Sequence, residues 1–226
     1  MGAYQYAIDA QVDCIEVDVS RSADGILFAL HDRDLQHRTG NKSLAVGSLH
    51  AADIRKIGLR NYGSLLTFND RMIPQFEDAI TFISEAVRRV IIDVKIGPPL
   101  YDKGLAKIER TRCKNCLIWA KNDDFIGELL KISPKALVGY VVMIEKDGKT
   151  SKLGRIKGAG VAGVYHRLIN ENLVNSLRGE YTRVYAWTVD DEDSMRKLLD
   201  EGVDAIVTNK PLMLKQVMED VKVNCQ

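Results

Sequence analysis

Apolar and polar positions along the chain sort into two recurring kinds of stretch. Short runs rich in Val, Ile, Leu and aromatic residues occur at Asp13–Val19, Ile26–His31, Val90–Lys95, Cys116–Ala120, Leu137–Val142, Val161–Tyr165, Arg183–Val189 and Asp204–Thr208. Their length and β-branched content predict strands. Between most of them lie amphipathic segments with helical spacing. In Gln75–Val87 the residues Phe76, Ala79, Ile80, Ile83 and Val87 share one stripe, and Ser194–Glu201 runs into Gly202, which suits a helix C-terminus. Strands alternating with helices predict an α/β fold built on a parallel sheet. With this many units the choice is a closed barrel or a doubly wound sheet. No G-x-G-x-x-G or G-x-x-x-x-G-K-[ST] follows a strand, so the usual signature of the second is missing. One joint breaks the alternation. Only Ser20–Gly25 links the first two strands, too short for a parallel crossover, which needs roughly a dozen residues. Asp24-Gly25 is a turn signal, so these strands form a hairpin or one of them lies outside the barrel.

The length of 226 residues suits one α/β domain, and the absence of a Pro/Gly/Ser-rich break predicts a single domain over 1–226. A full barrel of eight units takes roughly 250 residues, so this chain sits near the lower end. The net charge of +1 gives no electrostatic footprint for nucleic acid or an anionic membrane surface, so any phosphate chemistry must come from a local site. No apolar run approaches the ~18 residues of a membrane span. The first ten residues lack the basic and apolar regions of a signal peptide, and Tyr6 spoils a myristoylation motif. The chain is therefore expected to be soluble. Of the cysteines Cys14, Cys113, Cys116 and Cys225, only Cys113 and Cys116 form a C-x-x-C. No second pair completes a zinc site, and two ordinary thiols are expected there.

Polar residues inside strands carry the chemistry, because an unpaired buried carboxylate is costly. In Ile15-Glu16-Val17-Asp18-Val19 the two acids are two positions apart and share one side of the strand. Adjacent carboxylates repel, and a hard divalent cation such as Mg²⁺ or Ca²⁺ relieves the repulsion. A strand with one solvated face would look the same. In Ile92-Asp93-Val94-Lys95, Asp93 and Lys95 again share a face. That pattern fits a third metal ligand beside a phosphate-binding ammonium, or a simple ion pair. At the end of the second strand, Ile26, Phe28 and Leu30 make one face and leave His31 on the other. There it could carry protons at a barrel mouth or be merely structural. Of the other histidines, only His166 sits where a substrate could meet it. Trp187 ends a strand and could line a pocket or belong to the core.

The order of these features closely resembles the glycerophosphodiester phosphodiesterase family. The resemblance rests on Asp13-x-Ile15-Glu16-x-Asp18-Val19, Asp24-Gly25 and His31-Asp32-x-Asp34-Leu35-x-x-Arg38-Thr39. Further on it rests on Ile73-Pro74-x-Phe76-Glu77-Asp78-Ala79, Ile92-Asp93-Val94-Lys95, Ala186-Trp187-Thr188-Val189 and Gly202-Val203-Asp204-Ala205-Ile206-Val207-Thr208-Asn209-x-Pro211. The Ala186–Val189 stretch and the Gly-Pro-Pro after Lys95 look most like plant members. The stretch from Gly97 to Leu177 is nearly free of motifs.

The resemblance implies a TIM-type (β/α) barrel of the phospholipase-C-like phosphodiesterase kind. It implies metal-dependent hydrolysis of glycerophosphodiesters, such as deacylated phospholipids, to sn-glycerol 3-phosphate and an alcohol. Carried over by position, Glu16, Asp18 and Asp93 would hold one Mg²⁺ or Ca²⁺, His31 would be the general acid or base, Lys95 would contact phosphate, and Trp187 would line the glycerol pocket. Three departures stand out. The family opens with a strand carrying His-Arg-Gly, which this sequence does not show, so a barrel lacking its first strand and an N-terminally truncated domain are expected. Asp93 stands where the family usually has Glu, shorter by about 1.5 Å. Asn209 stands where the family closes on Thr-Asp. A non-catalytic barrel that binds a phosphodiester or a partner is the alternative. An unrelated enzyme using Lys95 as a Schiff-base nucleophile is disfavoured, because the adjacent acids keep that amine protonated.

Overall fold

The computed structural model describes residues 1–31, 35–36, 39–60, 73–95, 113–143 and 154–224. Asp32, Asp34, His37, Arg38, the Gly-Pro-Pro after Lys95 and Cys225 lie outside the described residues. Contacts divide the chain into two compact units, Met1–Leu117 and Ile118–Gln226. Among the described residues no helix is long and apolar enough to cross a membrane.

In the first unit, α1 (Gly2–Asp9) leads into β1 (Cys14–Arg21), followed by β2 (Leu27–Ala29). β1 and β2 are antiparallel, with Val19 opposite Ala29 and Arg21 opposite Leu27. The short Ser20–Gly25 link is therefore a hairpin turn, and Gly25 sits at φ 87°, a region only glycine enters freely. The Asp24 carboxylate reaches forward to accept from the Ala51 N–H at 2.9 Å, capping α2 (Ala51–Arg60) from a distant turn. α3 (Phe76–Ile83) buries Phe76, Ala79, Ile80 and Ile83, the stripe expected from spacing. The helix stops short of Val87. There the Asn115 amide donates to the Ser84 and Val87 carbonyls, both at 2.9 Å, and redirects the chain into β3 (Arg89–Val94). β3 runs parallel to β1, with Glu16 beside Ile91 and Asp18 beside Asp93.

Cys113 and Cys116 are joined as a disulfide, their Cα atoms 5.6 Å apart, so the expectation of two ordinary thiols is corrected. The pair flanks the turn that carries Asn115, and that turn brings the cysteines into bridging range. Asn115→Ala should leave two carbonyls short of a donor. It is expected to cost about 1–3 kcal/mol, read as a lower urea midpoint at unchanged m-value.

The second unit is a run of parallel strands: β4 (Cys116–Ala120), which belongs to it from Ile118 on, β5 (Val138–Val142), β6 (Val161–Tyr165), β7 (Arg183–Trp187) and β8 (Ala205–Ile206). The crossovers after β4, β6 and β7 are helical. α4 (Asp123–Ile132), α5 (Glu171–Gly179) and α6 (Glu192–Asp200) start at Asn122, Asn170 and Asp191, whose side chains accept from the Phe125, Leu173 and Ser194 amides. α7 (Pro211–Asn224) closes the unit, tied to α6 where Arg196 pairs with Asp220 at 2.8 Å.

All eight sequence-derived strands are present, several of them shorter than expected. Ala162, Val164, Val184 and Ala186 are fully buried, as strands covered on both faces require. On the alternate positions one large ring governs the packing. Trp119 on β4 is 2% exposed and meets Tyr185 edge-on, with ring centroids 6.4 Å apart. A Cβ placed on Gly163 would stand 2.8 Å from that indole, and one on Gly139 would stand 2.9 Å from the Val161 carbonyl oxygen. Both glycines are required by close approach.

Candidate functional site

The first unit brings four of the expected site residues together. β1 alternates in burial, with Ile15, Val17 and Val19 inside, so Glu16 and Asp18 emerge on the opposite face. The parallel register sets Asp93 directly across from Asp18. Carboxylate oxygens of Glu16, Asp18 and Asp93 all lie within 4.8 Å of one another. The shorter Asp93 thus reaches the cluster without a longer side chain, because register compensates for reach. Lys95 follows in line, its amide donating to the Val19 carbonyl at 3.0 Å. Its Nζ lies 3.1 Å from Asp18 Oδ1 and 2.5 Å from Asp93 Oδ2.

The electrostatics follow from this crowding. Burial, then the charges of Asp18 and Asp93, push the Glu16 carboxyl well above its usual range, while Lys95 only partly offsets them. Burial works against the charge on Lys95, but Asp93 and Asp18 outweigh it and hold the ammonium charged. A charged amine is a poor nucleophile, which removes the support for a Schiff-base role. Three carboxylates with one protonation-prone member form an all-oxygen donor set. That set fits one hard divalent cation.

His31 follows β2. Phe28 and Leu30 pack into a small core with Leu35, Val46, Ala51, Ile54 and Ile73, and Ile26 leans on the same core. This leaves His31, half-buried, at the next position along the hairpin. The Leu30 N–H donates to the Asp18 carbonyl at 3.0 Å, so the strand leading into His31 is fastened to the backbone of an acidic site residue.

Trp187 belongs to the second unit and ends β7. It pairs in register with Tyr165 at the end of β6, with ring centroids 5.6 Å apart, and Tyr165 lies 4.7 Å from the His166 ring. Trp187 Nε1 and His166 Nδ1 are buried without hydrogen-bond partners. The sequence reading missed Tyr165. Its place opposite Trp187 in the strand alignment was the available signal.

It also missed Asp190. That carboxylate accepts from Thr208 Oγ1 at 3.0 Å, from the Asn209 N–H at 2.8 Å and from Asn209 Nδ2 at 2.8 Å. Burial pushes Asp190 up, yet the hydrogen bonds from Asn209 and Thr208 prevail and hold it below its usual range. The amide at 209 is therefore matched to its neighbour. Asn209→Asp would replace a donor with a second carboxylate and is expected to lower the melting temperature near neutral pH, with recovery as pH falls and one acid protonates.

A family model for the glycerophosphoryl diester phosphodiesterase family matches residues 1–213. Glycerophosphodiester phosphodiesterase GDPD4 of Arabidopsis thaliana is 48% identical over 231 residues, covering 100% of this chain and 70% of that protein. Among solved structures, a phosphodiesterase of Oleispira antarctica in complex with the product sn-glycerol-3-phosphate superposes with a TM-score of 0.78 at 19% identity, covering 96% of this chain and 89% of the other. The glycerophosphodiester phosphodiesterase of Thermotoga maritima gives 0.75 at 19% identity, covering 96% and 90%. These likenesses show the fold, a TIM-type α/β barrel. Two parallel strands in the first unit and five in the second leave it one short of eight among the described residues. With the family model spanning nearly the whole sequence, the chain belongs to the glycerophosphoryl diester phosphodiesterase family, as a plant-like member.

Proposed function

We propose that this chain, as one phosphodiesterase domain, hydrolyses glycerophosphodiesters to sn-glycerol 3-phosphate and an alcohol, using one divalent cation, Mg²⁺ or Ca²⁺. The observation that carries the reading is the convergence of Glu16, Asp18 and Asp93 oxygens within 4.8 Å beside an ammonium, in a chain of this family. Water adds to phosphorus, the bond from phosphorus to the head-group oxygen breaks, and the leaving alcohol takes a proton. Glu16, Asp18 and Asp93 hold the ion, which supplies positive charge against the phosphoryl oxygens. Lys95 binds a phosphate oxygen, His31 carries a proton as general acid or base, and Trp187 packs against the glycerol carbons. The Oleispira antarctica relative, holding sn-glycerol-3-phosphate, supports the product.

The test is release of glycerol 3-phosphate from glycerophosphocholine, with Mg²⁺ or Ca²⁺ and after chelation. Release that chelation abolishes supports the reading. A non-catalytic phosphodiester-binding barrel, suggested by Asp93 and Asn209 in place of the family's residues, predicts saturable substrate binding by calorimetry without release. Neither binding nor release would reject both.

A further inference from the structure

Lys95 has two claims on it. In the proposed reaction it meets phosphate, yet its Nζ is 3.1 Å from Asp18 Oδ1 and 2.5 Å from Asp93 Oδ2, bonded to two of the three carboxylates assigned to the ion. Its side chain is 28% exposed, so the ammonium is only partly shielded from solvent. An ammonium and a divalent cation compete for the same carboxylate charge at close range, because at separations of about 4 Å they repel each other strongly in a partly buried site. The lysine stem is long and flexible, and its three donors rotate freely, so it can let go without any backbone change.

Resting on the function proposed above, we infer that Lys95 is an internal counterion that exchanges with the divalent cation. With no ion bound it neutralises Asp18 and Asp93 and keeps the cluster from repelling itself apart. When the ion binds, the ammonium is driven off these oxygens and presented to the substrate phosphate. Lys95 thereby makes ion binding and phosphate binding cooperative. Ion affinity is held down by the same residue that raises phosphate affinity.

The full chain, stripped with chelator, is titrated with Mg²⁺ and with Ca²⁺ by calorimetry, as wild type, Lys95→Met and Lys95→Arg. Lys95→Met is expected to bind the ion about tenfold or more tightly, since it removes the competing charge. Lys95→Arg keeps that charge and should bind no tighter than wild type. Inorganic phosphate is then titrated into each with and without the ion, and the gain that the ion confers on wild type should shrink in Lys95→Met. An independent readout uses wild type alone. Reductive methylation followed by mass spectrometry should show Lys95 reacting several-fold faster once the ion is added, with exposed Lys56 unchanged. Unchanged or weaker ion affinity in Lys95→Met, or no change in Lys95 methylation while the ion binds, overturns the exchange and leaves the metal assignment standing. Absence of saturable ion binding in wild type and Lys95→Met alike overturns the metal assignment and the exchange with it.

Discussion

Glu16→Gln is expected to lower kcat/KM for glycerol 3-phosphate release at least about 100-fold. Charge stabilisation of a phosphoryl transition state by a bound ion is worth several kcal/mol, and each 1.36 kcal/mol is tenfold. The substitution keeps shape but removes the formal charge from one of the three proposed ion ligands. Its second signature is in stability. Glu16 is held well above its ordinary 4.5 by burial and by Asp18 and Asp93. A folded state whose carboxyl is harder to ionise binds more protons than the unfolded chain, so stability declines as pH rises from about 4.5 through the raised value. Metal-free wild type should therefore melt lower at pH 7 than at pH 5. A divalent cation should reverse that slope, and Glu16→Gln should flatten it with or without the ion. Full turnover in Glu16→Gln, or an unflattened slope, would remove Glu16 from the ligand set.

The largest stability effect is expected away from the chemistry. Gly163→Val should unfold a substantial fraction of the protein, costing more than the roughly 1–3 kcal/mol typical of overpacking. Even one added carbon would stand 2.8 Å from the Trp119 ring, and Trp119 is 2% exposed and wedged against Tyr185. The two further methyls of valine add bulk to a position where the first carbon already overlaps the indole. Trp119→Leu should partly rescue Gly163→Ala, and denaturant midpoints of the single and double variants would measure the coupling. Strictly additive costs would show that the indole is not what excludes a side chain.

Much of this was legible from residue order alone. Period-two alternation in Ile15-Glu16-Val17-Asp18-Val19 fixed which side of β1 bears the acids, because strand geometry leaves no other choice. The same rule placed Asp93 and Lys95 on one face and set His31 apart from Ile26, Phe28 and Leu30. Strand ends were less legible. β8 is confined to Ala205–Ile206, since backbone pairing at a sheet margin depends on neighbours that local pattern does not encode. The Cys113–Cys116 bridge was misread because a C-x-x-C specifies proximity along the chain but not the turn geometry that closes it. The Lys95 contacts with Asp18 and the Asp190–Asn209 pair were invisible for a related reason: each joins residues from separate strands or loops, and their register appears only on folding.

The small core beneath His31 gives the first unit a local cooperativity of its own. Phe28 and Leu30, Val46, Ala51 and Ile54, and Ile73 come from separate stretches that hold one another in place, with the Asp24 carboxylate clamping the hairpin turn to the start of α2. Such a patch is expected to open and close as one body under native conditions. The amides of Leu30, Ala51 and Ile54 should then exchange their hydrogens with a common opening free energy, and Ile54→Ala should lower it for all three. Because His31 is carried on the strand that this patch supports, each opening also takes the proposed proton carrier out of service. Turnover in this protein would then scale with the fraction of molecules in which a cluster of aliphatic side chains, itself no part of the chemistry, stays shut.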